Sequence, residues 1–383
     1  MKVALVVPHM FMHRDILPQV IFSPAALAIQ LAEGLTALGA EVTVFSPGPV
    51  DTSAHNATAD LSLFESELAG RGYGYMELLK KHPATFIALA RQVQAELIAN
   101  AFAAANRGEY DLVHIYTNEE DIALPFAQLC MRPVVFTHHD PFNFLIKYKN
   151  IFPKYKHLNW ISMSLAQRAG MPPGTNWVAN VYHGLDEQRF RPSNKPRGDY
   201  VAYLGRIIEP KGVHLAIAAV QAYNRTAAQP LRLKIAGKHY SGHNDNYWQE
   251  RVEPQLSSTI EYVGFLGSDT AKQDFLGNAR ALLVPSTFSE PFGMVLIEAL
   301  ACGTPVIGVG SGAIPEIIQE GKNGFVVARE EDEAAMVAGL CASLEKVGSL
   351  SRQDCRAAFE SRFTLARMCQ EHLQVYQKLV SGR

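Results

Sequence analysis

The sequence predicts an α/β protein of two doubly wound parallel-sheet domains facing a central cleft, and three observations lead there. The chain has 383 residues, more than one hydrophobic core usually organises, which favours two domains. Short apolar runs rich in Val, Ile and Leu alternate with longer segments of helical period, as parallel strands covered by crossover helices do. The alternation stops after Asp186 at a polar stretch, RFRPSNKPRGD, and then begins afresh. The domains expected are residues 1–186 and 187–363. A closing helical stretch over 364–383 has no strand left to connect and is expected to cross back to the first domain.

In the first domain, strands are expected at Val3 to Val7, Glu41 to Phe45, Leu112 to Tyr116, Val134 to Thr137 and Trp177 to Val181. A helix from Pro24 to Leu38 is expected between the first two, with Ser23 as its cap, Pro24 in its first turn and Gly39 at its end. In the second domain, strands are expected at Val201 to Leu204, Leu233 to Ala236, Ile260 to Val263, Ala281 to Val284, Val306 to Val309 and Phe325 to Val327.

Composition excludes several classes of function. A hydrophobic fraction of 48% with 19% charged residues is that of an ordinary globular protein, so disorder and fibrous architectures have no support. The formal charge of -2 gives no global attraction to polyanions and argues against nucleic acid as a partner. Cys130, Cys302, Cys341, Cys355 and Cys369 are odd in number and lack a CxxC pair, so neither a disulfide framework nor a zinc site is indicated and a reducing cytoplasm is expected. The opening MKVALVVPHMF runs into His13, Arg14 and Asp15 without a small-residue cleavage site and reads as a buried first strand. No run approaches the roughly 18 apolar residues of a spanning helix, although attachment to a membrane surface stays open.

The most informative segment is Pro285 to Gly303, PSTFSEPFGMVLIEALACG. An apolar strand ends there in a polar loop carrying Glu290, and a helix expected from about Phe292 carries Glu298 roughly one and a half turns inside. The main-chain N–H groups at Phe292, Gly293 and Met294, with Val295 beside them, open that helix and can hold anionic or hydroxyl oxygens. The simpler reading makes Glu290 a charge favoured by the helix dipole and Glu298 part of a surface. The apolar neighbours of Glu298 in VLIEALACG oppose that reading, because a carboxylate among them needs partners. In YLGRIIEPKG, Gly205 ends a strand, and Arg206 and Lys211 follow. Two cations at a strand's carboxyl end are placed for a diphosphate, though they could also solvate a loop.

Together, SEPFGMVLIEALACGTPVI, GRIIEPKG upstream and GAIPEII downstream resemble the family 4 retaining glycosyltransferases of the GT-B fold. The similarity spans most of the C-terminal half and is weaker in the N-terminal half, where the first strand and helix, FTHHDP and VYHGLDEQRFRP carry it. The resemblance implies an enzyme that moves a hexosyl group from a nucleoside-diphosphate sugar, UDP-hexose first, to a sugar, lipid-linked or small-molecule acceptor. It implies that Arg206 and Lys211 neutralise the diphosphate, that Glu298 accepts from the ribose, and that Glu290 holds the transferred sugar. Gly264 and Phe265 would meet the nucleobase, and His139, with His138 as second choice, would lie against the reacting sugar. The first domain would bind the acceptor and the second the donor.

The chain departs from the family where a glycine-rich loop usually follows the first strand, since FMHRDILPQVIFSPA has no glycine. The glycine pattern at Gly308, Gly310 and Ala313 would suit a dinucleotide, but its strand comes late in the second domain. No Asp-x-Asp pair offers ligands for a divalent cation, so no metal and no cofactor are expected. In GKHYSGHND, Gly237 and Lys238 are better donor contacts than His239 and His243 are metal ligands. From Pro141 to Leu185 no acidic residue occurs. The basic, aromatic segment 142–157 could meet an anionic acceptor or membrane headgroups, or be a solvated face over the core. Two other functions are compatible with the motifs: a nucleotide-sugar epimerase or phosphorylase of the same fold, and a non-catalytic sugar-nucleotide-binding protein.

Overall fold

The computed structural model describes residues 1–383 apart from 21, 194, 195, 197, 240–245 and 383. Part of the polar stretch after Asp186, and His243, thus lie outside the described residues. The chain forms two compact units, each built on a parallel sheet: Met1–Met163 with Arg168–Val181 and Leu365–Arg383, and Ser164–Gln167 with Tyr182–Thr364.

The first unit contains β1 (Lys2–Val6), β2 (Glu41–Ser46), β3 (His55–Thr58), β4 (Leu112–Thr117), β5 (Val134–His138), β6 (Asn159–Ser162) and β7 (Trp177–Asn180). They pair in parallel in the order β3-β2-β1-β4-β5-β6-β7. Val3 to Val6 and all of β4 are buried, as central strands covered on both faces must be. The sequence reading missed β3 and β6 because HNAT is a polar edge and NWIS is too short to show a period. It also misplaced a cap. Ser23 is the first residue of the helix Ser23–Ala37, preceded by Phe22, which makes no capping bond; Gly39, at φ +86°, ends it.

The C-terminal helix Leu365–Ser381 belongs to this unit. A Cβ at Gly34 would sit 2.3 Å from Cys369 Sγ, so only glycine allows this approach of the two helices. Deeper in, His114 Nδ1 lies 2.6 Å from Tyr376 Oη and its Nε2 lies 2.9 Å from Thr137 Oγ1.

The second unit contains β8 (Tyr200–Leu204), β9 (Arg232–Ala236), β10 (Ile260–Gly264), β11 (Leu282–Val284), β12 (Val306–Val309) and β13 (Gly324–Val327). Their order, all parallel, is β10-β9-β8-β11-β12-β13. Gly308 lies inside β12, where a Cβ would meet Ile314 at 2.7 Å. The following helix, Ile314–Ile317, has four residues. This glycine therefore serves close strand-to-helix packing, and the dinucleotide reading fails on context.

Candidate active site

In the second sheet the strand order reverses between β8 and β11, the first of which starts this unit. Ligands of open α/β sheets bind outside the carboxyl ends at such a switch point. The two loops that leave these strands are the ones bearing Arg206 and Lys211 on one side and Glu290 on the other.

These loops are fastened together by their backbones. The N–H groups of Thr287 and Phe288 both donate to Pro210 O, at 3.0 and 3.1 Å. Gly212 has φ +71°, and a Cβ there would stand 2.1 Å from Pro285 O. Gly312, at φ +58°, comes as close to Glu290, whose carbonyl would lie 2.2 Å from an added Cβ; Ala313 N donates to that same carbonyl at 2.9 Å. The glycine of GAIPEII thus supports the loop holding Glu290.

Within this frame Lys211 and Glu290 form an ion pair with side chains 16% and 10% exposed. Ser286 Oγ donates to the same Glu290 oxygen at 2.9 Å, and Lys211 Nζ lies 5.0 Å over the Phe288 ring. Arg206 stands exposed at the rim. The charge of Lys211 is thus balanced by Glu290, while the neighbouring Arg206 faces solvent.

Glu298 is a separate centre. The helix carrying it runs Met294–Ala301, two residues later than the expected start, with Gly293 as its N-cap at φ +102°. Phe292, Gly293 and Met294 therefore lie at its opening, with Val295 in the first turn, where N–H groups have no intrahelical acceptor. The Phe292 ring itself is buried against His183, with centroids 5.0 Å apart. Glu298 is buried; its Oε1 accepts from Lys272 Nζ at 3.1 Å, and its Oε2 has no partner among the described residues. Burial pushes its carboxyl up, and the Lys272 charge opposes the shift.

The remaining predicted residues of this unit line the ends of β8, β9 and β10. Gly205 N donates to Ala236 O at 3.1 Å, and Gly237 N to Gly264 O at 2.9 Å. Gly264 turns the chain at φ +85°, and Phe265 beyond it is 52% exposed with Lys238 Nζ 4.4 Å over its ring. His239 stacks on Trp248 at 4.4 Å and 11°, so its ring is committed to an aromatic contact.

His138 and His139 lie in the first unit, at the carboxyl end of β5. His138 is fully buried among Phe142, Tyr148 and Phe152. Its Nδ1 lies 2.8 Å from Glu120 Oε2. Burial pushes the imidazole down to about 4 and holds the Glu120 carboxyl well above the usual range. His139 follows the strand, its N–H donating to Thr117 O at 3.2 Å and its ring edge-on to Tyr116 at 4.2 Å. The glycine-free segment after β1 forms two short helical turns, Met10–Met12 and Leu17–Gln19, and its His9 ring packs on Phe11 and Phe22.

Sequence reasoning missed Lys272, Ser286 and Glu120. Lys272 sits in an ordinary polar helix, Asp269–Gly277, and Ser286 in a loop full of hydroxyls. Only the run of three acidic residues in TNEED, Glu119, Glu120 and Asp121, directly after an apolar strand, could have drawn attention to Glu120.

Residues 186–357 match the family described as Glycosyl transferases group 1, and residues 25–171 match Glycosyltransferase Family 4. The chain is 27% identical over 336 residues to phosphatidyl-myo-inositol mannosyltransferase of Mycobacterium tuberculosis, covering 83% of this chain and 82% of the relative. It is 24% identical to spore coat protein SA of Bacillus subtilis, over 57% of this chain and only 63% of that relative. Among solved structures, sucrose-phosphate synthase from Thermosynechococcus elongatus superposes with a TM-score of 0.73 at 18% identity, over the whole of both chains. Anabaena HepE, in complex with UDP and glucose, does so at 0.68 and 17%, covering 99% of this chain and all of that one.

Proposed function

The chain belongs to the family 4 glycosyltransferases of the GT-B fold, and from that premise we propose that it moves a hexosyl group from a nucleoside-diphosphate sugar to an acceptor hydroxyl with retention of configuration. The observation that carries this reading is the Lys211–Glu290 pair beside exposed Arg206 at the switch point. In this proposal Arg206 and Lys211 take the diphosphate, Lys211 turning part of its charge from Glu290 to the phosphate as the donor enters. Glu298 offers its second oxygen to the ribose, Phe265 and Gly264 meet the base, and Glu290 orients the sugar. The helix opening at Phe292 to Val295 supplies N–H groups to oxygens of the donor. The first unit binds the acceptor, with His139 toward the reacting sugar.

In front-face transfer the acceptor oxygen bonds to the anomeric carbon while the bond from that carbon to the diphosphate breaks. The electron pair leaves with the diphosphate, whose oxygen receives the acceptor proton. Preorganised cations stabilise the charge that develops, so the reaction needs no divalent cation and transfer persists in EDTA. Five free thiols suit a reducing cytoplasm.

Because HepE was solved with UDP and glucose, UDP-glucose is the first donor to test, followed by a mannosyl donor. Thermal shifts with nucleoside diphosphates and their sugars, followed by transfer assays, test the proposal; a ligand at about a hundred times its Kd stabilises by about 2.7 kcal/mol. Stabilisation by no sugar nucleotide would overturn it, whereas stabilisation without transfer or donor hydrolysis would favour a silent binding protein.

A further inference from the structure

The segment 142–157 is not the solvated polar face that would make its lysines unremarkable. Phe144, Leu145 and Ile146 follow one another at its tip and are 55%, 39% and 79% exposed. A nearly bare isoleucine at the end of an apolar triplet is costly unless something covers it. The triplet is also held in place. Phe142, Tyr148 and Phe152 on either side are buried in the aromatic core with Trp160, Phe144 N donates to Pro141 O at 3.0 Å, and the Tyr148 hydroxyl donates to Asn118 O at 2.5 Å. Little ordering remains to be done when the tip is covered.

Charge says what covers it. Exposed Lys149, Lys154 and Lys156 follow the tip, and no acidic residue occurs from Pro141 to Leu185. The nearby Asp121 is occupied, 3.0 Å from Arg91 and 3.7 Å from Lys147, so it does not cancel these lysines. Apolar side chains flanked by exposed lysines on a chain of net charge -2 match a surface that is anionic at its face and apolar just beneath.

We infer that this segment docks the protein on an anionic bilayer, with Phe144, Leu145 and Ile146 entering the acyl boundary and Lys149, Lys154 and Lys156 resting on the headgroups. No helix among the described residues is long and apolar enough to cross a membrane, so the attachment is peripheral. It does not depend on the donor chemistry and is measured without donor or acceptor.

The test is co-sedimentation of the full chain with vesicles of phosphatidylcholine alone or mixed with phosphatidylglycerol. Binding to the mixed vesicles is expected, weakening as salt rises. Replacing both Phe144→Ser and Ile146→Ser, or all three lysines by Gln, should each reduce partitioning at least about tenfold, with the melting temperature retained. No binding of the unaltered chain to mixed vesicles at low salt, or equal binding by the variants, would overturn the inference. So would an unaltered chain that self-associates in solution, ignores vesicles and becomes monomeric with Ile146→Ser, since a second copy would then be the cover.

Discussion

Lys272 holds one carboxylate oxygen of Glu298 at 3.1 Å, while the other oxygen is buried without a partner among the described residues. A buried acceptor left open is costly in the empty protein and is explained if a ligand hydroxyl completes it. Lys272→Met should therefore weaken nucleoside diphosphate binding about tenfold, the worth of a charge-assisted contact, because the cation that orients the Glu298 carboxyl and opposes the cost of its burial would be lost. Calorimetry with UDP checks this, and Lys272→Arg should recover most of the loss.

Lys211→Ala or Arg206→Ala should lower transfer at least about a hundredfold, since losing one charge-stabilising contact to a leaving group costs about 2.7 to 4 kcal/mol. The two variants should differ in the empty protein. Lys211→Ala strips Glu290 of its ion-pair partner and should lower the melting temperature, whereas Arg206 is exposed and its loss should leave stability nearly unchanged. Near-normal turnover in both would move the diphosphate elsewhere.

The two-sheet fold was legible because buried parallel strands write themselves as apolar runs, and β1, β4, β8 and β12 did so. Edge strand β3 did not, since HNAT has polar residues on its solvent side and little to bury. Glu298 stood out as a charge among apolar neighbours, but its partner Lys272 did not, because ion pairs between separate helices leave no spacing in the sequence. The same holds for Gly312 beneath Glu290: a glycine in a loop is common, and only the backbone 2.2 Å from its absent side chain explains it.

Stability of the first unit should fall on acidification through a histidine outside the donor site. Burial pushes His372 from 6.5 down to about 4, and the groups near its ring are His114, itself held well down by burial, Tyr376 and Arg367. Because the folded value lies below the unfolded one, the unfolded chain takes up a proton first. Stability is therefore intact above about pH 6.5 and is lost progressively until about pH 4, by about 3 kcal/mol in full for this residue. His138 is a poorer probe, since Glu120 beside it is shifted in the opposing sense. Urea unfolding across that window should show a shallower pH dependence in His372→Leu; an unchanged slope would assign the loss to other groups.

Glu290 and Glu298 have different partners, Lys211 with Ser286 for one and Lys272 for the other, so their amides should fail differently. Glu298→Gln should chiefly weaken nucleotide binding. A ribose contact exists both before and during the reaction, so its loss raises KM more than it lowers kcat, provided that KM reports binding. Glu290→Gln should depress kcat, because the group beside the moving sugar is lost. It should not weaken the nucleoside diphosphate, since Lys211 is then released from a competing carboxylate and keeps its charge for phosphate. Calorimetry with the diphosphate product and kinetics with the sugar donor separate the two, and an equal loss of diphosphate affinity in both variants would reverse the assignment.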